Sequence, residues 1–310
     1  MFPHIKKKIA SQKDVYIKNN KESRKIKIMR TVNNKEERSK LAKERVAKLE
    51  KTYEKEIAHS VENTKLYNKE FNNIAKVKEL KNKNSTSFEL LDLDTVSALV
   101  KASAKSEKVT ILNFASYRHP GGGYLNGSKA QEECLCAESN LYNILSKFNN
   151  TIDESITNIE TYRSNKTYYY GYNTSKYHNY KGNLYTNRGL YTPDVIFTPA
   201  LRKTIKADVI TVAAPNYSAS RKYVSVQENS RELESRIKFI LEVLTENNTD
   251  TIILGAFGCG VFGQEPVEVA EIMLKLLTTD FKGVFNKVIF AIPDKKSKNY
   301  IGFSEVLNIE

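Results

Sequence analysis

Apolar residues along this chain follow two rhythms, one helical and one extended. From Asn34 to about Ile57, NKEERSKLAKERVAKLEKTYEKEI sets Leu41, Val46, Leu49 and Tyr53 near one helical face and charges over the rest. TSFELLDLD then reads as a short strand, DTVSALVKASAKS as a helix and KVTILNFAS as a buried strand. Residues 134–148 predict a further helix. Four apolar runs follow as strands: PDVIFTPAL, ADVITVAAPN, DTIILGAFGCGVFG and NKVIFAIPD. Between the last three lie helical patterns over Asn229–Glu246 and Glu265–Thr278. Strands alternating with helices predict an α/β fold with a mostly parallel sheet covered on both faces. Ligands of such sheets sit beyond the carboxyl ends of the strands. Two stretches keep neither rhythm. Residues 1–30 read as a poorly ordered basic lead, and residues 150–192, with TYYYGYNTSKYHNYKGNLY, as a connection beside the site, too polar for a core strand throughout.

Charge and composition change this picture in a few places. Residues 1–60 hold 18 Lys/Arg against 8 Asp/Glu, whereas the remaining 250 residues hold 31 against 28. Most of the net +13 therefore sits in the N-terminal fifth, either as a solvated extension or as an arm that grips a phosphate polymer by releasing counterions. Direct DNA or RNA binding is not expected beyond weak contacts of this tail. No run of about 18 or more apolar residues calls for a membrane helix. The opening MFPHIKKKIASQKD lacks the pattern of a secretory signal. Cys134, Cys136 and Cys259 form no C-x-x-C pair and no even framework, so they read as reduced thiols of an intracellular protein, cytoplasmic or nuclear. His4, His59, His119 and His178 are scattered, so neither a metal nor another cofactor is expected.

The chemistry gathers in PGGGYLNGSKAQEECLCAESNLY, residues 120–142. Gly121, Gly122 and Gly123 precede Gln131, Glu132 and Glu133 by a seven-residue spacer. Three glycines are tolerated where a Cβ would obstruct, as where backbone approaches a ligand closely, or else they form a flexible surface turn. A second glycine loop, Gly255, Gly258, Gly260 and Gly263, lies between a strand and a helix beginning near Glu265. Such a turn exposes successive N–H groups that suit phosphate oxygens, or it serves tight packing. No G-K-[ST] follows, so it is not a P-loop.

LNFASYRHPGGGYLNGSKAQEECLCAESNLY together with LGAFGCGVFGQEPVEVA resembles the catalytic domain of microbial-type poly(ADP-ribose) glycohydrolases, a branch of the macrodomain fold. The likeness runs from about Asn33 to the C-terminus and takes in SVENTKLY, YTPDV and VAAPN. Animal members carry Asn where this chain has Ser116. The resemblance implies a three-layer α/β/α macrodomain-like fold with a mixed, mostly parallel sheet. It suggests a division into the basic lead (1–30), an N-terminal helical accessory segment (31–85) and a catalytic domain (86–310).

Cleaving a ribose–ribose O-glycosidic bond requires a proton for the leaving oxygen and stabilisation of an oxocarbenium-like transition state. Neighbouring residues point in different directions, so Glu132 and Glu133 cannot straddle one bond; one serves as acid/base and the other positions substrate. The resemblance implies that Glu133 is the acid/base and Glu132 the ribose-orienting group. It also implies that Gly121–Gly123, Gln131, Gly258, Cys259, Gly260, Val261 and Gly263 surround the substrate, and Phe262 either packs against the distal ribose or belongs to the core. Asn113 either binds ribose or is a satisfied strand-end residue. Asn216 either lines the adenosine side or makes a turn, and one tyrosine between Tyr162 and Tyr191 is a candidate to stack on adenine. The expected activity is removal of ADP-ribose units from the polymer by a monomeric enzyme that also meets ADP-ribosylated protein. The alternatives are a reader of ADP-ribose that does not cleave, or a hydrolase of mono-ADP-ribosylated protein.

Overall fold

The computed structural model describes residues 32–68, 71–104, 108–148, 183–199 and 204–308. The basic lead and the tyrosines of 150–182 lie outside them. Seven strands form one sheet: β1 (Lys65–Asn68), β2 (Ser87–Leu91), β3 (Val109–Phe114), β4 (Arg188–Phe197), β5 (Ile205–Val212), β6 (Thr251–Leu254) and β7 (Lys287–Ala291). Their order is β1-β4-β5-β3-β6-β7-β2. The run β5-β3-β6-β7-β2 is parallel, and β4 and β1 complete one side antiparallel. The mostly parallel sheet anticipated from the alternation of elements is therefore present, and its two antiparallel strands make it mixed, as the resemblance implied.

Helices cover both faces because successive strand residues point to opposite sides. On one face Ile111, Ile253 and Ile289 pack with Ala42 of α1 (Lys35–Thr52), Ile57 of α2 (Glu54–Asn63), Val96 and Leu99 of α4 (Thr95–Ala102), Leu135 of α5 (Gln131–Ala137) and Leu141 of α6 (Leu141–Leu145). On the other, Leu112, Ile252 and Val288 pack with Val77 of α3 (Ile74–Leu80), Ile237 of α8 (Val226–Glu246), Met273 of α9 (Pro266–Thr278) and Phe303 of α10 (Lys298–Leu307). A short α7 (Tyr217–Ser220) follows β5. Among the described residues no helix is long and apolar enough to cross a membrane.

Four local departures have physical causes. The helix expected over Asn34–Ile57 is two helices, broken where Tyr53 leaves helical geometry (φ −125°, ψ 33°) and its N–H caps Leu49 O at 2.9 Å. The helix expected over 134–148 starts at Gln131 and stops at Ala137, because residues 138–140 pair with the end of β4 instead. Thr198 N donates to Glu138 O at 2.7 Å, and Asn140 exchanges bonds of 3.1 and 3.0 Å with the backbone of Ile196. The strand expected at PDVIFTPAL begins earlier, at Arg188, inside the stretch expected to be a connection. Pro193 and Asp194 (φ 56°) fall at a register shift between Thr192 and Val195, where a missing N–H is tolerated. Lastly, residues 65–68, expected within a helical accessory segment, form the edge strand β1.

Candidate active site

The central strand β3 delivers the chain to the glycine turn, and α5 brings it back. Gln131 locks that return: its Oε1 accepts from Phe114 N at 2.9 Å and its Nε2 donates to Leu112 O at 2.9 Å and Thr95 Oγ1 at 3.2 Å. The two carboxylates that follow are buried and unequal. Glu132 is held by three donors, with Oε2 accepting from Ser116 N at 2.7 Å and Oε1 from Gly121 N at 3.1 Å and Asn113 Nδ2 at 3.2 Å. Three donors on a carboxylate favour its anion and fix its orientation. Glu133 has one oxygen held, Oε1 accepting from Gly123 N at 2.7 Å, while the buried Oε2 has no hydrogen-bond partner among the described residues.

The glycine triplet makes this approach possible. Gly121 and Gly122 take φ of 69° and 58°, the left-handed region that side chains disfavour. A Cβ on Gly122 would stand 2.5 Å from Glu133 Oε1 and 3.0 Å from Glu132 Oε2. Helix α1 braces the turn from outside, Arg38 Nε donating to Gly127 O at 2.7 Å and Ser39 Oγ to Leu125 O at 2.5 Å.

The second glycine loop leaves β6 and faces this turn across a cavity of about 960 Å³, within the range of small-molecule sites. Gly258 (φ 79°) lies so close to Ala214 and Gln264 that a Cβ would approach both at 2.8 Å. Gln264 anchors the loop, donating to Pro215 O at 2.7 Å and exchanging amide bonds of 2.8 and 2.9 Å with Asn229 of α8. Beyond this anchor the N–H groups of Gly260, Val261 and Phe262 donate to no protein acceptor among the described residues. Val261 is 83% exposed. The arrangement is a nest open to an anion. Pro266, at the first turn of α9, ends the loop where its missing N–H costs nothing.

Comparison with known proteins decides the family. The model described as "Microbial-type PARG, catalytic domain" matches residues 29–200, more than half of the chain, and the Macro domain model matches residues 172–273. The chain belongs to the microbial-type PARG family. Solved poly(ADP-ribose) glycohydrolase (PARG) structures resemble it over nearly their whole lengths. The enzyme from Thermomonospora curvata is 27% identical with a TM-score of 0.71, over 87% of this chain and 99% of that one. The same enzyme bound to the inhibitor ADP-HPD gives 28% and 0.69 over 87% and 99%. The Deinococcus radiodurans enzyme in complex with ADP-ribose is 26% identical, TM-score 0.68, over 81% and 97%. A search of curated proteins found no match.

In this PARG-family chain the cavity wall includes Gly122, Gly123, Gln131, Glu132, Glu133, Gly258, Gly260, Val261 and Phe262. The other residues singled out from the sequence stand behind it. Asn113 is fully buried beneath Glu132 and also donates to Thr211 Oγ1 at 3.3 Å, and Gly121 holds Glu132. Asn216 caps α7 through Ala219 N at 3.1 Å and reaches Tyr185 OH at 3.3 Å. Cys259 is partly buried, and burial pushes its thiol up to about 12. Gly263 (φ 70°) packs on Ser218. Tyr185, one of the tyrosines considered for adenine, stacks on Tyr117 at 4.5 Å and meets Phe262 edge-on at 6.0 Å. Sequence reasoning missed the PARG-turn supports Arg38 and Ser39 and the Asn229–Gln264 pair. Only the chain's path shows these partners, 86 to 89 and 35 residues apart. Ser116 supplies its backbone N–H to Glu132, and its Oγ accepts from His119 N at 3.2 Å. Among the described residues no group of three His, Cys, Asp or Glu could hold a metal ion.

Proposed function

We propose that this PARG-family protein hydrolyses the ribose–ribose O-glycosidic bonds of poly(ADP-ribose) and releases ADP-ribose. The observation that carries the reading is the asymmetry of the pair on the cavity wall: Glu132 is held by three donors, whereas Glu133 has one buried oxygen that no donor among the described residues reaches. In the reading, Glu133 in its protonated form gives its proton to the leaving ribose oxygen as the bond from that oxygen to the anomeric carbon breaks. Water then adds to the anomeric carbon and returns its proton to Glu133. Glu132, already fixed as an anion, accepts from ribose hydroxyls and orients the bond. The diphosphate of the terminal unit, held by the open N–H groups of the second glycine loop, offsets the developing cation.

The test is release of ADP-ribose from labelled poly(ADP-ribose) by the wild type and by Glu133→Gln. Glutamine keeps the size but cannot cycle a proton, so turnover is expected to fall on the order of 100- to 10,000-fold. Affinity for ADP-ribose should stay within a few fold. Unchanged turnover would remove Glu133 from the mechanism, and a wild type that binds ADP-ribose without cleaving polymer would make the protein a reader. Mono-ADP-ribosylated protein as a parallel substrate separates the polymer from the single modification.

A further inference from the structure

The cavity mouth beside Glu133 carries basic side chains that the catalytic step leaves unused. Arg118, His119 and Lys129 are exposed, and among the described residues their side chains have no ion-pair or hydrogen-bond partner. His119 and Lys129 line the cavity, and Arg118 adjoins His119. Both arms are tied to the acid through the glycine turn. Gly122 N donates to His119 O at 2.9 Å, and a Cβ on Gly122 would touch Glu133 Oε1. Gly123 N holds Glu133 Oε1, and Gly123 O accepts from Ser128 N at 3.1 Å, next to Lys129. The segments that carry these side chains thus flank the carboxyl group of Glu133 on the side of its held oxygen, Oε1. Among the described residues none of the carboxylates of the cavity wall, Asp94, Glu132 and Glu133, forms an ion pair with them. Asp94 is taken up by Ser97 at 2.9 and 2.8 Å, and Glu132 by its three donors.

A leaving group protonated by Glu133 must pass this mouth. In poly(ADP-ribose) that group is the ribose of a second unit, which carries its own diphosphate. We infer that Arg118, His119 and Lys129 seat the diphosphate of the unit beyond the scissile bond, so that this rim selects polymer over single ADP-ribose groups. The inference rests on the hydrolase reading and adds to it a determinant of substrate class. On this inference monomeric ADP-ribose, which lacks the second unit, has no diphosphate to place on the rim.

The experiment measures binding in a Glu133→Gln background, so that turnover does not consume the probe. Labelled poly(ADP-ribose) of defined length and monomeric ADP-ribose are titrated against this protein with and without Arg118→Ala and Lys129→Ala. Exposed charge pairs are each worth about 1.4- to 5-fold, so the double rim variant is expected to bind polymer about 2- to 25-fold more weakly at low salt. The salt dependence should flatten by about 0.7 in log–log slope per contact removed. ADP-ribose affinity should stay within about twofold. The exchange Arg118→Lys with Lys129→Arg, which keeps both charges, should retain polymer affinity and so exclude misfolding as the cause. Polymer binding unchanged by the alanine variants, or ADP-ribose weakened equally, would overturn the rim. Hydrolysis by the protein with Glu133 intact is read separately. Binding without release of ADP-ribose refutes the hydrolase while the binding arms still decide the rim, and failure to bind polymer at all refutes both.

Discussion

A single missing carbon decides whether the carboxylate pair can form. Gly122 combines a left-handed φ of 58° with a Cβ position 2.5 Å from Glu133 Oε1. Gly122→Ala is therefore expected to cost about 1–2 kcal/mol in backbone strain. It should also displace Glu133, and a misplacement of about 1 Å is enough to lower turnover roughly 100-fold. Gly260→Ala is the control for stability, since its Cβ would meet nothing within 4 Å, and it should leave the melting temperature unchanged. Equal losses of melting temperature in the two variants would show that the glycines act through general flexibility. At this scale the sequence was informative where spacing encodes chemistry, as in the triplet and the Gln131-Glu132-Glu133 run. It could not show that Asn113 lies under Glu132 rather than in the cavity, because a strand pattern does not say which partner meets each buried side chain.

Among elements, the second glycine loop owes its position to one pair of amides. Asn229 and Gln264 are each 2% exposed and satisfy one another in both directions. Replacing either by leucine leaves a buried amide half-satisfied, which costs about 1–3 kcal/mol, whereas replacing both removes that mismatch and leaves only Pro215 O without its donor. The double variant is expected to lose less stability than the two single losses added, with a coupling of about 0.5–3 kcal/mol measured by urea denaturation. Strict additivity would mean that the pair does not bridge α8 and the loop. Long elements were legible because their periodicity extends over several turns or a full buried strand. β1 escaped notice because Lys65–Asn68 is four residues at the sheet edge, and α10 because Gly302 interrupts its helical pattern. That glycine has a packing reason, since its Cβ would press on Pro266 and Val267 of α9 at 3.2 Å. The break before α6 was invisible for another reason: residues 138–140 end a helix in order to pair with β4, nearly 60 residues away.

For the whole molecule, charge and topology carry separate consequences. Residues 1–30 hold 10 basic residues against Asp14 and Glu22. Deleting them is expected to weaken binding of long poly(ADP-ribose) and flatten its salt dependence while leaving monomeric ADP-ribose binding unchanged. A truncated protein that binds and cleaves long chains like the full one would show the lead to be solvated tail. The strand order has a different effect, on how the chain reaches its fold. At one edge of the sheet β2 pairs with β7 alone, Ser87 opposite Lys287, and the central β3 waits for both β5 and β6. On a ribosome adding about 5–20 residues per second, β2 therefore emerges about 10–40 s before its partner. Through that interval Phe88, Leu90 and Leu91 have no sheet to join, and the nascent chain is exposed to premature association. The same order that gathers the glycine loops at one end of the sheet thus ties completion of the catalytic cleft to the last stages of synthesis.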